Sequence, residues 1–423
     1  MIIKSEIKKG INLSKIKTNK FKTTMVLFTI TKKIDRKDVT FMSLLPKLLK
    51  SGSEKYKTKM EINRKLEELY GANIDFSVET KGNNQVINAV FCTINDEYKL
   101  DKNEDNLLKE GLDLLFEMIF NPLIEDNGFK EEYLNIEKEN LKKIIEARIN
   151  NKSRYAASLA VEKTFEGMLP SIRSIGYIED LDNINRNNLY EFYKDLLANA
   201  KLDIFVSSNL DDSEVDEIVN NNEYIKQISE RTPEYCKDRE DYEISSEELY
   251  FEEKMNVVQG NLILLYLLNG NIDKNDKKVL LMNVILGVGA NAKLFQNVRE
   301  KASLAYTIAS SYDYAGKFIL IRAGIEINKF DKALKITKEQ VEEMKKGNIS
   351  QEEIDAAKEL IVANLLGIDD DQYAELSYEK TNEILDLNTS REEEIEKVKA
   401  VTKEEIVEAA NKMNLKTVLF LRN

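Results

Sequence analysis

The sequence contains no histidine in 423 residues. That absence removes imidazole general bases, Ser/His/Asp and Cys/His nucleophile systems, and every zinc site built on histidine. Cysteine is almost as scarce: Cys92 and Cys236 stand far apart, neither belongs to a Cys-x-x-Cys pair, and two thiols cannot by themselves assemble a structural zinc or iron-sulfur site. They read as ordinary packed or surface thiols. No apolar run reaches the ~18 residues a membrane span requires. The lysine-studded stretch from Met1 to Phe21 lacks the apolar core of a secretory signal, so a cytoplasmic location is expected. Positive charge is in deficit: 62 Lys and Arg against 75 Asp and Glu give a formal net charge of -13, which disfavours nucleic acid and anionic membranes as partners.

What is present describes a folded chain with more than one core. A composition that is 42% hydrophobic and 32% charged supplies both a buried interior and a solvated surface, and the length exceeds one comfortable domain. Thr23 to Thr31 is β-branched and apolar, as a buried strand requires. Thr58 and Glu61 match a capping box, after which Ile62, Leu66, Leu69 and Tyr70 recur at helical spacing until Gly71. The runs 73–80 and 85–93, joined by Lys81-Gly82-Asn83-Asn84, predict a hairpin. Leu107, Leu108, Leu112, Leu115, Met118 and Ile119 then mark an amphipathic helix ended by Asn121-Pro122, and Lys130 to Arg148 reads as another.

The pattern repeats. The capped helix at 184–191 leads into the apolar strand 202–206, and the one at 401–408 leads into the strand 417–421. A second hairpin runs from Ala305 to Tyr314, turns at Ala315-Gly316 and returns from Lys317 to Ile327. Helices follow from Asp331 and from a Ser350/Glu353 capping box. The charged stretch 213–248, with Pro233, reads as the linker. The expected fold is α+β, with two homologous domains at 1–230 and 231–423, each a largely antiparallel sheet covered by helices.

Two stretches carry a family resemblance. The run Leu294-Phe295-Gln296-Asn297-Val298-Arg299-Glu300-Lys301-Ala302-Ser303-Leu304-Ala305-Tyr306 resembles the second-half signature of the insulinase/pitrilysin-like metallopeptidases. Leu66-Glu67-Glu68-Leu69-Tyr70-Gly71-Ala72 is similar to the corresponding first-half segment, and the duplicated layout agrees with the family's paired α+β domains. Active members carry a zinc-binding His-x-x-Glu-His whose Glu is the general base. Laying Gly52-Ser53 on the small residues that follow that motif puts Ser43 and Lys47 where its ligands stand and Pro46 where its base stands. A hydroxyl, an ammonium and a proline make no zinc site. The family's third ligand, a Glu from a later helix, is matched by Glu146, which on its own reads as a solvated or ion-paired helix residue.

For the second half the resemblance implies that Arg299 anchors a substrate carbonyl and Tyr306 steadies a tetrahedral oxyanion, opposite a zinc that must come from elsewhere. Read from the residues alone, Arg299 makes a structural ion pair and Tyr306 packs in a strand. Gly287-Val288-Gly289 lacks the remainder of a phosphate-binding motif and reads as a tight loop. Asp369-Asp370-Asp371 lacks the spacing of a calcium loop and reads as a solvated turn, and Arg391-Glu392-Glu393-Glu394 as a charged helix face.

The resulting expectation is a noncatalytic chain with no cofactor of its own. It would pair with a homologous zinc-bearing subunit, close a chamber around an extended peptide, and supply Arg299 and Tyr306 in trans. The alternative is a homodimeric, noncatalytic peptide-binding or modification-associated protein, as the resemblance to inactive relatives linked to elongation factor P modification implies.

Overall fold

A computed structural model describes residues 2–101, 106–238 and 240–423, so one position of the expected linker, Arg239, lies outside the described residues. The first sheet contains β1 (Ile2–Lys8), β2 (Ile11–Lys17), β3 (Thr23–Lys33), β4 (Asn73–Lys81), β5 (Asn84–Ile94) and β6 (Lys201–Ser208), in the order β1-β2-β6-β3-β5-β4. Only β2 and β6 run parallel; the other neighbours are antiparallel. Strand period sorts its side chains by face. Val26, Phe28 and Ile30 of β3, with Leu202, Ile204 and Val206 of β6, enter the main core, whereas Leu27 and Phe205 enter a small cluster of their own. Burying each such side chain stabilises the fold by roughly 1.5–3 kcal/mol.

The main face is covered by α1 (Val39–Leu49), α3 (Leu107–Phe120), α4 (Glu131–Glu146) and α6 (Arg186–Asn199), with α2 (Lys59–Glu68) contributing Ile62. The Thr58 side chain caps α2 through Glu61, and Asn185 caps α6 through Asn188.

The second sheet repeats this plan without a counterpart of β1. Its strands are β7 (Leu249–Lys254), β8 (Gly260–Leu268), β9 (Ala305–Asp313), β10 (Phe318–Ile325) and β11 (Met413–Arg422), in the order β9-β10-β8-β11-β7. Again one pair is parallel, β11 with β7, and the closing strand of the repeat lies beside the opening one. The expected α+β fold with antiparallel-dominated sheets and a duplicated layout is what the structure has.

The two compact units are discontinuous in sequence. One comprises 1–146, 172–237 and 369–386; the other comprises 147–171, 238–368 and 387–423. A single expected seam at 230/231 follows the repeat, while compactness exchanges one segment in each direction. In the second unit α5 (Lys152–Thr164) lays Ala156 and Ala160, with Phe165 after it, on Ile263, Leu265 and Leu419. The hydroxyls of Thr164 and Thr417 share a buried hydrogen bond of 2.7 Å. In the first unit a helix from late in the chain, Gln372–Leu385, puts Leu376 against Leu27 and Phe205.

The stretch expected to be linker is shorter than 213–248. Helices occupy Asp212–Asn221 and Glu223–Gln227, because Val215, Val219 and Ile225 form an apolar stripe that joins the first core. Among the described residues, no helix is long and apolar enough to cross a membrane.

Candidate functional site

Ser43, Pro46 and Lys47 are brought together on one side of α1, where they line a pocket of about 290 Å³. Its other walls are Phe76, Ser77 and Val78 of β4, Leu141 and Ile144 of α4, and Ser174 with Ile175. The Ser43 hydroxyl is already used: it donates to the Ser174 carbonyl at 2.8 Å, and the Gln85 amide donates to the same oxygen at 2.7 Å. Pro46, inside α1, has no N–H and no side-chain donor or acceptor. The Lys47 side chain makes no hydrogen bond or ion pair among the described residues.

Glu146 does not join them. It is exposed at the end of α4, one position beyond the buried Ile145, and Ile144 is the residue of that turn that reaches the pocket. The carboxylate of α4 that is buried is Glu137, which accepts from Lys59 at 2.9 Å, Asn140 at 3.1 Å and the Ser51 hydroxyl at 3.3 Å. Burial opposes its charge, but the Lys59 and Asn140 hydrogen bonds outweigh that and hold its carboxyl below the ordinary range. Glu137 therefore ties helix ends together. A spent hydroxyl, a proline, an ammonium and two aliphatic side chains do not fit zinc. Among the described residues there is also no group of three or more His, Cys, Asp or Glu able to hold a metal.

In the second unit the chain from Phe295 to Lys301 winds as a wide helical turn, with the Ala302 N–H donating five residues back to Asn297 at 3.2 Å. Ser303 then adopts φ 52°, and the N–H of Leu304 reaches back to Val298 at 3.0 Å, which stops the helix and starts β9. Arg299 projects from this turn, with its side chain 42% exposed. Its guanidinium lies 4.5 Å from the centre of the Phe295 ring and 3.6 Å from the adjacent Glu300 carboxylate.

Tyr306 is the extra residue of a β-bulge. Pairing passes from Ala305↔Ile325 directly to Thr307↔Gly324, so Tyr306 has no cross-strand partner. The residue is 58% exposed, and its hydroxyl donates to Glu326 at 3.4 Å. The wide turn packs against β9, which places both residues in the same region of one unit. Among the described residues the Arg299 side chain meets a neighbouring carboxylate and ring, and Tyr306 stands outside the core. The bulge and the wide turn were not legible in the sequence, because one is a single extra residue and the other a short change of winding inside otherwise regular periods.

The Gly287-Val288-Gly289 loop closes the helix Lys278–Gly287, and Gly289 takes φ +87°. The Asp369–Asp371 run is no calcium loop: the Asp371 side chain caps Gln372–Leu385 by accepting from Ala374. Glu394 departs from the expected solvated face, being buried and paired with Lys277 at 3.0 Å.

Residues 183–361 match the family description "Peptidase M16 inactive domain". Over 98% of this chain and 96% of the relative, the sequence is 30% identical to the probable inactive metalloprotease YmfF of Bacillus subtilis (strain 168). The chain belongs to the M16 peptidase family, among its inactive members. The insulinase/pitrilysin-like resemblance holds over nearly the whole sequence. A second relative from the same organism, the uncharacterized zinc protease YmxG, is 24% identical over 73% of this chain and 70% of its own length. Among solved structures, a conserved protein from Enterococcus faecalis V583 superposes with a TM-score of 0.90 at 29% identity, covering 100% of this chain and 98% of that one. As an inactive M16 member the chain is not itself a peptidase, in agreement with a pocket whose donor set does not suit zinc.

Proposed function

We propose that this inactive M16 chain is the supporting subunit of a two-chain zinc peptidase. A homologous subunit bearing His-x-x-Glu-His brings the metal, the general base and the attacking water. This chain closes the peptide chamber and presents Arg299 and Tyr306 across from that zinc, Arg299 to a substrate carbonyl and Tyr306 to the developing oxyanion. The observation that carries the reading is an asymmetry. The first-half metal positions hold Ser43, Pro46 and Lys47, whereas Arg299 and Tyr306 persist and stand exposed on a wide turn and a bulge. Irregular backbone that aims a polar side chain outward is favoured where the side chain has work to do. The test is to co-purify the chain with its partner and compare peptide turnover by the wild-type pair with that of Arg299→Ala and Tyr306→Phe. Losses of roughly 100-fold support the assignment, and unchanged turnover removes it.

A second reading is a homodimer that binds extended peptides without cleaving them. It is favoured by the position of β9, the terminal strand of its sheet, whose outer edge pairs with no further strand among the described residues. An extended peptide adds to such an edge through main-chain hydrogen bonds. A homodimer that retains peptides intact selects this reading over the first.

A further inference from the structure

The pocket around Lys47 has a chemistry of its own. Its walls are mostly apolar, from Phe76, Val78, Leu141 and Ile144, with Ser43, Ser77 and Ser174 among them, and Lys47 is the one charged residue of the lining. Lys47 is half-buried and has no counter-ion or hydrogen-bond acceptor among the described residues. An ammonium partly withdrawn from water without a partner is unfavourable, and a carboxylate from a ligand relieves that cost. The nearby hydroxyl of Ser43 is committed to Ser174, and Lys47 is the charged group of the lining that can meet an anion.

At about 290 Å³ the cavity is at the small end for ligand sites, enough for one apolar side chain and a carboxylate. Phe76 and Val78 lie on β4, the last strand of its sheet, with no further strand paired to it among the described residues. An extended chain laid along that edge would therefore arrive beside Lys47.

We infer that this pocket recognises the free C-terminus of a peptide that ends in an apolar residue. The side chain fills the aliphatic walls, and the terminal carboxylate pairs with the Lys47 ammonium. An internal Asp or Glu fits less well, because its carboxylate carries no adjacent apolar body. The inference rests on the peptide-handling part of the proposed function, but it requires no partner and no zinc.

The test is fluorescence anisotropy on the isolated full-length chain. The probe is a short fluorescein-labelled peptide ending in Ala-Ala-Leu, as the free acid and as the C-terminal amide. The free acid is expected to bind roughly fivefold more tightly than the amide, the worth of one partly screened ion pair. The preference should vanish in Lys47→Met, persist in Lys47→Arg, and be lost with overall affinity in Ile144→Asp, each variant being checked for an unchanged thermal transition. Equal affinity for acid and amide overturns the inference. So does 4-methylpentanoate binding as tightly as the peptide, which would make the ligand a small free acid. Neither outcome bears on turnover by the reconstituted pair, so this inference and the trans assignment fail separately.

Discussion

The Tyr306 hydroxyl donates to the Glu326 carboxylate at 3.4 Å from a bulge that leaves the phenol 58% exposed. A long, solvent-exposed hydrogen bond contributes little to folding. Tyr306→Phe is therefore expected to change stability by no more than about 0.5 kcal/mol. In the reconstituted pair the same substitution is expected to lower turnover roughly 100-fold, the usual consequence of losing an oxyanion donor. Thermal denaturation of the isolated chain and peptide turnover of the pair check the two halves of this prediction.

Lys380 is the clearest buried charge in the chain. Its side chain is 0% exposed and is paired with Glu79, while Asn88 offers a second acceptor at 3.1 Å. Removing the partner of a buried charge costs more than removing the charge itself. Glu79→Gln should destabilise by roughly 3 kcal/mol and Lys380→Met by clearly less, as read from urea denaturation. Equal losses would show that the ammonium is solvated.

The same pair sets an acid response. Burial opposes ionisation of Glu79, but the hydrogen bond and charge of Lys380 outweigh it, so the carboxyl titrates below its ordinary value of 4.5. Burial likewise opposes Glu383, and the Lys201 charge holds it below that value. A depressed carboxyl contributes stability above the unfolded-state pKa and loses it as the pH falls through the folded-state value. Asp203 acts in the opposite sense, since burial pushes its carboxyl up. The wild type should accordingly lose stability relative to Glu79→Gln as the pH falls from about 5 through the folded-state value. Melting temperatures measured against pH for both proteins give that difference directly.

Gly287 ends its helix against β9. A Cβ there would lie 2.6 Å from the Ser310 backbone nitrogen and 2.5 Å from its hydroxyl oxygen. Gly287→Ala should therefore cost roughly 1–3 kcal/mol by overpacking, despite the better helix propensity of alanine. Gly71→Ala meets no atom within 4 Å but must hold φ +72°, so its penalty is one of backbone strain. Denaturation midpoints of the two variants separate the mechanisms.

Local chemistry was the legible part of this sequence. The Thr58/Glu61, Ser350/Glu353 and Thr402/Glu405 capping boxes all form, and both hairpins turn where their glycines stand. Partner choice was not legible. The alanine face of α5 shows only that something packs closely, not that it is the second sheet, and Lys380 reads as an ordinary surface lysine. The same limit applied at the candidate site. A carboxylate such as Glu146 attracts notice as a possible ligand, whereas Ile144, which lines the pocket, is indistinguishable in sequence from any core isoleucine. Ser43, Pro46 and Lys47 were grouped through the family resemblance, and α1 carries all three.

The measurement that tests the central claim most directly is native mass spectrometry of the chain affinity-purified from its native source at moderate salt. The account predicts a one-to-one complex with a homologous M16 chain carrying His-x-x-Glu-His, and peptide cleavage by that complex that stops on chelation and returns with zinc. A homodimer or a lone monomer with no such partner would contradict it.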